Sequence, residues 1–465
     1  MSAFIDSLYR AVWGLPTVLL ILVTGLWLTW VTGFAQFRLF PLAWRNFLAL
    51  LLGKNGKQGK ISSFQALCTA LSATVGIGNL AGVAGAIALG GPGSIFWMWI
   101  CAGFGMVIKF AETSLAVRFR VLDDSGQWMG GPMYTISRGM GRKWSWLACA
   151  YCFFGVVAAF GVGNATQINA VVAGIHEAAI SAGFHPDRTW NLWIGLPLAV
   201  LIGVTLSGGA KRIGQTAEKL IPFAAGGYIL LCLVVLCLRF DHIPDALRSI
   251  FVGAFSPRAV TGGAVGSVSV AIQTGISRGI FTNEAGMGTA SIAHAGAEVE
   301  HPAKQGLMGI MEVFLDTIVI CTMTALVILT SGVSVDYGFD RAAALTTAAF
   351  GAVLGEWVSV VIALFLCLFA VATVLGWGLY GARCAQYLFG NQAWRKFTAA
   401  QIAAVVLGAV MNTGMLWRLA EIVNGLMTIP NLIALCALTP VLRHITNDFN
   451  CGRNSAVGGT YENFY

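Results

Sequence analysis

The chain has 465 residues and a formal net charge of +8, yet only 10% of its residues are charged while 57% are hydrophobic. A soluble protein carries roughly 25% charged residues, so most of the outer surface of this chain must face lipid rather than water. This balance argues against a cytosolic α/β enzyme, a nucleic-acid-binding protein and a secreted disulfide scaffold.

Apolar stretches recur along the chain with about the 20 residues that a helix needs to cross a bilayer. They predict an all-α integral membrane protein with eleven transmembrane helices, near 13–33, 64–90, 95–117, 147–175, 190–207, 218–238, 263–296, 306–332, 352–378, 397–414 and 419–441. The short connections leave no room for a soluble catalytic domain. We therefore expect the protein to act within the membrane.

Lys and Arg residues are divided unequally between the two sides of this arrangement. The loops that share a side with 34–63 and with the C-terminus hold 19 of them, and the opposite side holds seven. Because cytoplasmic loops are enriched in Lys and Arg, we expect a multi-pass protein of the plasma (inner) membrane with its N-terminus outside. The polar residues after Arg443 are predicted to form a disordered cytoplasmic tail.

The second and seventh predicted spans are crowded with glycine and small polar residues. The second contains T-A-L-S-A-T-V-G-I-G-N-L-A-G at 69–82, and the seventh contains A-I-Q-T-G-I-S-R-G-I-F-T-N-E-A-G-M-G at 271–288. Glycine weakens a helix by about 0.8–1 kcal/mol relative to alanine, and unwound backbone in a bilayer is tolerated only where it lines a cavity or is buried in protein. We predict helix breaks at 72–79 and 274–283 that face a common site. Helix packing through the G-x-x-x-G of Gly78 to Gly82 is the alternative.

The positions of the two interrupted spans suggest an internal repeat. If the first span is an extra helix, they become the first and sixth of the remaining ten, and matching interrupted segments point to the binding site of a secondary transporter. Because each half contains an odd number of spans, the second half must cross the membrane in the opposite orientation to the first. The predicted units are an extra N-terminal helix with a basic loop (1–63), two five-helix repeats (64–240 and 241–441) and a cytoplasmic tail (442–465).

A broken helix presents both free N–H groups, with a partial charge of about half a unit, and free carbonyl oxygens. The N–H groups suit a carboxylate, and the oxygens suit Na⁺. We expect a substrate carboxylate at the N–H groups of Gly76, Ile77, Gly78 and Asn79. We expect sodium at the carbonyls of Ser72 and Val75 and the oxygens of Thr74 and Asn79. The candidate substrate-binding residues of the seventh span are Gln273, Gly275, Ile276 and Gly279.

Several motifs resemble one known family along nearly the whole chain. They are T-V-G-I-G-N-L-A-G-V-A-G-A-I at 74–87, G-G-P-G at 90–93, G-V-G-N-A-T-Q at 161–167, R-G-I-F-T-N-E-A-G-M-G at 278–288 and G-L-M-T-I-P-N-L-I-A-L at 425–435. Together they resemble the alanine/glycine:cation symporter family, the sodium:alanine symporters. The V-G-I-G-N stretch is also similar to the sodium- and carboxylate-binding stretch of the neurotransmitter:sodium symporters.

The resemblance implies the five-plus-five inverted-repeat fold of sodium-coupled amino-acid transporters, with one extra N-terminal helix. It also implies that Gln167, Thr373 and Trp377 line the substrate and sodium sites. Thr373 and Trp377 are four residues apart and share one helix face. Thr373 would complete the sodium cage, and Trp377 would cap a pocket for alanine or glycine. An ordinary packing role for Trp377 is the alternative.

These observations predict a secondary active symporter that imports small neutral amino acids, alanine or glycine, with Na⁺ as the coupling ion, no organic cofactor and no enzyme activity. We expect membrane lipid around the protein and no nucleic-acid partner. The protein is expected to be a monomer or an oligomer of unknown size. A proton-coupled symporter, a passive channel and an intramembrane hydrolase built on the G-x-S-x-G of 275–279 are alternatives. An ATP-driven pump is excluded within this chain, which has no phosphate-binding G-x-x-x-x-G-K-[ST] loop.

Charged residues inside predicted spans are costly and are usually paired or functional. Lys109 and Glu112 lie three residues apart, close enough for a structural ion pair. Glu312 and Asp316 lie four apart on the eighth span and could hold a proton, a second cation or Arg278. Asn283 and Glu284 follow the second predicted break and could close an ion site or a gate.

Overall fold

The computed structural model of the chain describes residues 7–9, 12–53, 61–124, 126–265, 267–338, 342–411 and 414–454. These residues are almost entirely helical, and one short antiparallel strand pair, β1 (Val121–Leu122) with β2 (Trp128–Met129), lies among them. Part of the basic loop, 54–60, and the end of the predicted tail, 455–465, lie outside the described residues.

The α-helices of six or more residues follow one another with short connections. They are α1 (Leu15–Val31), α2 (Phe40–Leu51), α3 (Ser63–Thr74), α4 (Val83–Gly90), α5 (Ser94–Arg118), α6 (Ser145–Phe160), α7 (Thr166–Ser181), α8 (Arg188–Ser207), α9 (Gly209–Leu238), α10 (Ile243–Phe255), α11 (Val268–Asn283), α12 (Thr289–His294), α13 (Pro302–Val313), α14 (Thr322–Thr330), α15 (Ala342–Leu354), α16 (Val358–Phe389), α17 (Ala393–Val410), α18 (Gly414–Ala437) and α19 (Thr439–Asn454).

Wider π-helical turns interrupt this order at several points. A π turn at Gly78–Gly82 precedes α4, one at Gly161–Ala165 joins α6 to α7, and one at Phe314–Cys321 joins α13 to α14. A fourth, Thr135–Met140, follows the strand pair. Because π turns occur often at functional sites, the first three are natural places to look for one.

Seven helical segments in the described part of the chain are long and apolar enough to cross a membrane. They are Ser94–Arg118, Arg142–Ile180, Arg188–Ser207, Gly209–Leu238, Pro302–Thr330, Val358–Phe389 and Leu419–Ala437. The bent pair Ser63–Thr74 and Gly78–Gly90 raises the number to eight if it forms one span. The chain is thus a multi-pass membrane protein, whereas the count of eleven spans and the inverted repeat stay predictions.

The long helix α9 has one exposed face and one buried face. On α9, Phe223 and Leu230 are exposed, whereas Tyr228 and Cys232 are buried. Two helices lie at the centre of the packing: α5 contacts α11 and α13, and α16 contacts α3, α6 and α7. Helices suit this environment because all their backbone polar groups are paired internally where lipid offers no partners.

The first broken helix is interrupted between α3 and α4. A capping box begins α3, in which Ser62 Oγ accepts from the Gln65 N–H and Gln65 Oε1 accepts from the Ser62 N–H, each at 3.1 Å. The helix ends at Thr74, Val75 is extended with φ −76° and ψ 100°, and the axis turns by 54°. This break lies inside the predicted 72–79 stretch.

The second break differs from its prediction. α11 runs without interruption through 274–283, and the chain unwinds only afterwards, where Glu284, Gly286 and Gly288 have φ values of +52°, +93° and +76°. The predicted break at 274–283 is therefore wrong, and the interruption falls at 284–288. Left-handed backbone is costly for a residue other than glycine, so the position of Glu284 must be held by its contacts.

Close packing explains the glycines of α11 that suggested unwinding. A Cβ atom on Gly275 would lie 2.3 Å from the Ser94 carbonyl oxygen, and one on Gly279 would lie 3.2 Å from Cys101 Cβ. Both glycines therefore allow α11 to approach α5, which is the packing role of small residues in membrane helices.

The prediction of a disordered tail after Arg443 is wrong for the residues that the structure describes. They continue α19, in which Leu442, Ile445 and Phe449 are buried. His301 Nε2, just before α13, lies 3.6 Å from Asp448 Oδ2. The apolar positions recur at intervals of three and four, which forms one helix face, although polar residues between them dominate the composition.

Replacing Gly275 with alanine should destabilise the protein, because the new methyl group meets backbone atoms of α5. We expect Gly275→Ala to lower the free energy of unfolding by about 1–3 kcal/mol, the usual cost of overpacking. Gly103→Ala is the matched control, since a Cβ atom there meets nothing within 4 Å. Thermal unfolding in detergent would contradict this packing role if the two variants melted at the same temperature.

Candidate functional site

The Asn79 side chain closes the first helix break. Its Oδ1 atom accepts a hydrogen bond from the Gly76 N–H at 2.9 Å, and the Asn79 N–H donates to the Gly76 carbonyl at 3.2 Å. Asn79 is fully buried. Two of the four N–H groups predicted to receive a carboxylate, those of Gly76 and Asn79, therefore already have partners within the break.

Three predicted site residues from three helices meet at this break. A Cβ atom on Gly76 would lie 2.8 Å from Thr373 Oγ1 of α16 and 3.8 Å from Gln167 Oε1 of α7. Gln167 donates through Nε2 to the Val162 carbonyl at 3.0 Å, whereas its Oε1 atom is buried with no hydrogen-bond partner among the described residues. A buried acceptor without a donor is costly, so this oxygen is suited to a cation or an ammonium group.

Hydroxyl groups near the break direct their hydrogens away from it. Thr373 donates to the Phe369 carbonyl at 3.0 Å, Ser72 to the Thr69 carbonyl at 2.7 Å and Thr74 to the Ala70 carbonyl at 3.3 Å. A hydroxyl that donates in this way keeps its lone pairs free. Ser72 also lies against α16, because a Cβ atom on Gly376 would be 2.7 Å from Ser72 Oγ.

A buried carboxylate adjoins the same break from the π turn between α13 and α14. Asn79 Nδ2 donates to Asp316 Oδ1 at 2.7 Å, and Thr317 Oγ1 donates to Asp316 Oδ2 at 2.8 Å. Asp316 is fully buried, and no Lys, Arg or His in the described part of the chain forms an ion pair with it. The sequence marked Asp316 as an intramembrane charge but gave no reason to pair it with Asn79, 237 positions away.

The residues predicted from α11 have different surroundings in the structure. Gln273 is exposed, Ile276 is buried, and Gly275 and Gly279 pack on α5. The end of α11 approaches instead, since a Cβ atom on Gly78 would lie 3.2 Å from Thr282 Cγ2. Helix α11 therefore contacts the first break through a residue that lies one to two turns C-terminal to the predicted ones.

A carboxylate from the protein itself fills the second break. Glu112 Oε1 of α5 accepts from the N–H groups of Gly286 and Gly288 at 2.9 and 3.0 Å, and from Asn431 Nδ2 at 2.6 Å. Asn431 Nδ2 also donates to the Gly286 carbonyl at 2.8 Å. Side chains of α5 and α18 therefore form hydrogen bonds with the peptide groups at 284–288 that have no partner within a helix. The sequence alone does not predict these partners.

Glu284 anchors Trp377 at the other side of the second break. Trp377 Nε1 donates to Glu284 Oε1 at 3.1 Å, and Thr289 Oγ1 donates to Glu284 Oε2 at 2.6 Å. The indole is fully buried, and the π turn between α6 and α7 lies directly against it, because a Cβ atom on Gly163 would be 2.3 Å from Trp377 Cβ. Trp377 therefore bridges the second break and the helix that carries Gln167.

The remaining intramembrane charges form a hydrogen-bonded chain. Lys109 Nζ contacts Glu312 Oε1 at 2.8 Å, so the lysine pairs with Glu312 rather than with Glu112 as predicted. Glu312 Oε2 lies 3.0 Å from His294 Nε2, and His294 Nδ1 lies 2.8 Å from Gln305 Nε2. Ser63 Oγ donates to Gln305 Oε1 at 2.5 Å. The chain therefore connects the start of α3 and the end of α12 to α13.

Comparison with known proteins agrees with this architecture. MhsT, solved in complex with L-phenylalanine, superposes with a TM-score of 0.55 and 13% sequence identity over 84% of this chain and 99% of that one. At this identity the match concerns the fold alone.

Curated relatives match over nearly their whole length. The sodium/alanine symporter AgcS of Methanococcus maripaludis is 40% identical, over 96% of this chain and 97% of its own. An uncharacterized transporter of Haemophilus influenzae is 41% identical, over 97% and 96%. YrbD of Bacillus subtilis, named a putative sodium/proton-dependent alanine carrier protein, is 35% identical, over 94% and 90%. The model of the sodium:alanine symporter family matches residues 1–460. The chain belongs to the sodium:alanine symporter family.

Proposed function

We propose that the protein is a secondary active symporter that imports alanine and glycine together with Na⁺ by alternating access. The observation that carries this proposal is the meeting of Gly76, Thr373 and Gln167 at a helix break within the apolar part of the chain. Neutral oxygens from separate helices surround backbone that has left its helix there. That combination suits a zwitterion and a cation without requiring a proton.

The substrate carboxylate is proposed to bind at the first break and not at the second. Glu112 already occupies the N–H groups of Gly286 and Gly288, and a second carboxylate beside it would be repelled. At the first break the Gly76 N–H is held by the neutral Asn79 amide. The N–H groups of Ile77 and Gly78 are therefore our candidates for the carboxylate, and Gln167 Oε1 is our candidate for the ammonium group.

Selectivity for small side chains is proposed to come from the lack of space around the break. Gly76 has no room for a Cβ atom of its own, and Trp377 is held in place by Glu284. A pocket bounded by such a fixed indole discriminates by size. The name of AgcS, a sodium/alanine symporter, supports alanine as the substrate.

Sodium is proposed to bind the carbonyls of Ser72 and Val75 together with Thr74, Asn79 and Thr373. Asp316 is added to this set as the negative charge nearest to Asn79. A carboxylate that is buried without a cationic partner costs free energy unless a cation or a proton joins it. This favours Na⁺ near Asp316, and it is also the observation that keeps proton coupling as a second candidate.

We further propose eleven spans in a five-plus-five inverted arrangement with the N-terminus outside. The fold match to MhsT and the Lys/Arg distribution support it. The membrane potential contributes about 2.3 kcal/mol per charge at 100 mV. One sodium ion moving inward would therefore supply a useful driving force before its concentration gradient is counted.

Alanine at position 76 should block the site without unfolding the protein. The Gly76→Ala methyl group would lie too close to Thr373 Oγ1, so we expect the apparent affinity for alanine to fall by about tenfold or more, the equivalent of 1.4 kcal/mol. Gly82→Ala is the matched control in the same interrupted segment, because a Cβ atom there meets no described residue within 4 Å. Equal uptake of radiolabelled alanine by both variants in proteoliposomes would contradict a site at Gly76.

Removing the Thr373 hydroxyl should weaken sodium coupling. We expect Thr373→Val to raise the half-saturating Na⁺ concentration by about tenfold, because one oxygen ligand is lost. Thr330→Val is the control: Thr330 is equally buried and donates to the Leu326 carbonyl at 2.8 Å in the same way. Uptake that needs no Na⁺ in the wild-type protein, under an imposed pH gradient, would instead support the proton-coupled candidate.

The Asp316→Asn variant distinguishes Na⁺ coupling from proton coupling. If Na⁺ is attracted by this carboxylate, the variant should need about tenfold more Na⁺ while its uptake keeps the pH dependence of the wild type. If a proton is the coupling ion, uptake driven by a pH gradient should be lost in Asp316→Asn but retained in the wild type and in the control variant. Asp448→Asn is the control, since that carboxylate lies on α19. Unchanged Na⁺ and pH dependence in Asp316→Asn would remove Asp316 from both schemes.

A further inference from the structure

One face of α1 forms an apolar stripe that no other described helix covers. Leu19, Val23, Leu26 and Trp30 are exposed, and their spacing of four, three and four residues places them on one helix face. From Leu19 to Trp30 the helix rises about 16 Å at 1.5 Å per residue. This length matches about half of the roughly 30 Å hydrocarbon core, which is the depth of one leaflet.

The stripe ends at a groove between α1 and α19. The groove has a volume of about 440 Å³ and is lined by Trp27, Trp30, Val31 and Thr439, with Pro440, Arg443, His444 and Asn447 on the α19 side. Trp27 Nε1 donates to Thr439 Oγ1 at 3.3 Å, which joins the two walls. Apolar rings therefore stand on one side of the groove and polar groups on the other.

The charge of this groove is positive. Among the described residues, Arg443 is exposed and forms no ion pair, and the groove is lined by neither Asp nor Glu. Arginine binds phosphate groups through two parallel N–H donors, and tryptophan prefers the headgroup level of a bilayer. Along this surface an apolar stripe as long as one leaflet is followed by tryptophan and then by arginine. This order matches the acyl chain, glycerol region and phosphate of a phospholipid.

We propose that this groove binds an anionic phospholipid, with its headgroup phosphate on Arg443, the two indoles beside its glycerol region and an acyl chain along the stripe of α1. The bound lipid would hold α19 against α1. Because α19 also contacts the start of α13 through Asp448 and His301, lipid binding should stabilise the folded protein. The proposal does not depend on which amino acid or ion is transported.

The test is the thermal stability of delipidated protein in a neutral detergent, titrated with phosphatidylglycerol, with phosphatidylcholine or with inorganic phosphate. We expect phosphatidylglycerol to raise the melting temperature of the wild type with a saturable dependence, and the other two to have little effect. Arg443→Gln should weaken the apparent lipid affinity by about fivefold, equivalent to about 1 kcal/mol for one basic residue near anionic lipid. Trp30→Ala should weaken it as well.

Arg395→Gln is the matched control, because Arg395 is an exposed arginine of α17 that does not line the groove. It should keep the wild-type titration. The proposal is overturned if Arg395→Gln and Arg443→Gln lose affinity equally, since general surface charge would then account for binding. It is also overturned if phosphatidylcholine stabilises as well as phosphatidylglycerol, or if inorganic phosphate alone reproduces the shift.

Discussion

Peptide groups that leave a helix inside the bilayer must find new hydrogen-bond partners, because lipid provides none. The two breaks in this protein meet that requirement with different chemistry. Asn79 closes the first break with a neutral amide that bonds to Gly76. Glu112 and Asn431 close the second, where a carboxylate accepts from the N–H groups of Gly286 and Gly288. The first break is therefore closed by a neutral side chain, and the second by a carboxylate.

This difference determines what each break can do. At the second break the Glu112 carboxylate already accepts from the N–H groups of Gly286 and Gly288, which both have left-handed backbone. The first break keeps two oxygens near Gly76: the hydroxyl of Thr373, and Gln167 Oε1, which has no hydrogen-bond partner among the described residues. The buried carboxyl group of Asp316 adjoins this set through its hydrogen bond with Asn79. This set of neutral oxygens supports the proposal of a zwitterion bound together with a cation at the first break.

The buried ionic groups also connect the parts that surround the breaks. Lys109, Glu312, His294, Gln305 and Ser63 form one chain of contacts from α5 to α3. Removing one partner of a buried ion pair costs about 3–5 kcal/mol, whereas the intact pair adds little stability. Such a chain therefore specifies relative positions more than it stabilises the fold. It ties one half of each broken helix to α13.

The sequence by itself determined the membrane class, the helical fold and the first break, because these follow from hydropathy and from the glycine and small polar residues at 69–82. It also marked Gln167 and Thr373 through a family resemblance. It misplaced the second break, since glycine allows both unwinding and close packing, and only the approach of α11 to α5 decided for packing at Gly275 and Gly279. It missed the helical tail, whose apolar face is hidden among polar residues. The partners of Asp316, Glu112 and Lys109 were decided by tertiary structure alone, because each lies on a different helix far away in the chain and no local pattern records that distance.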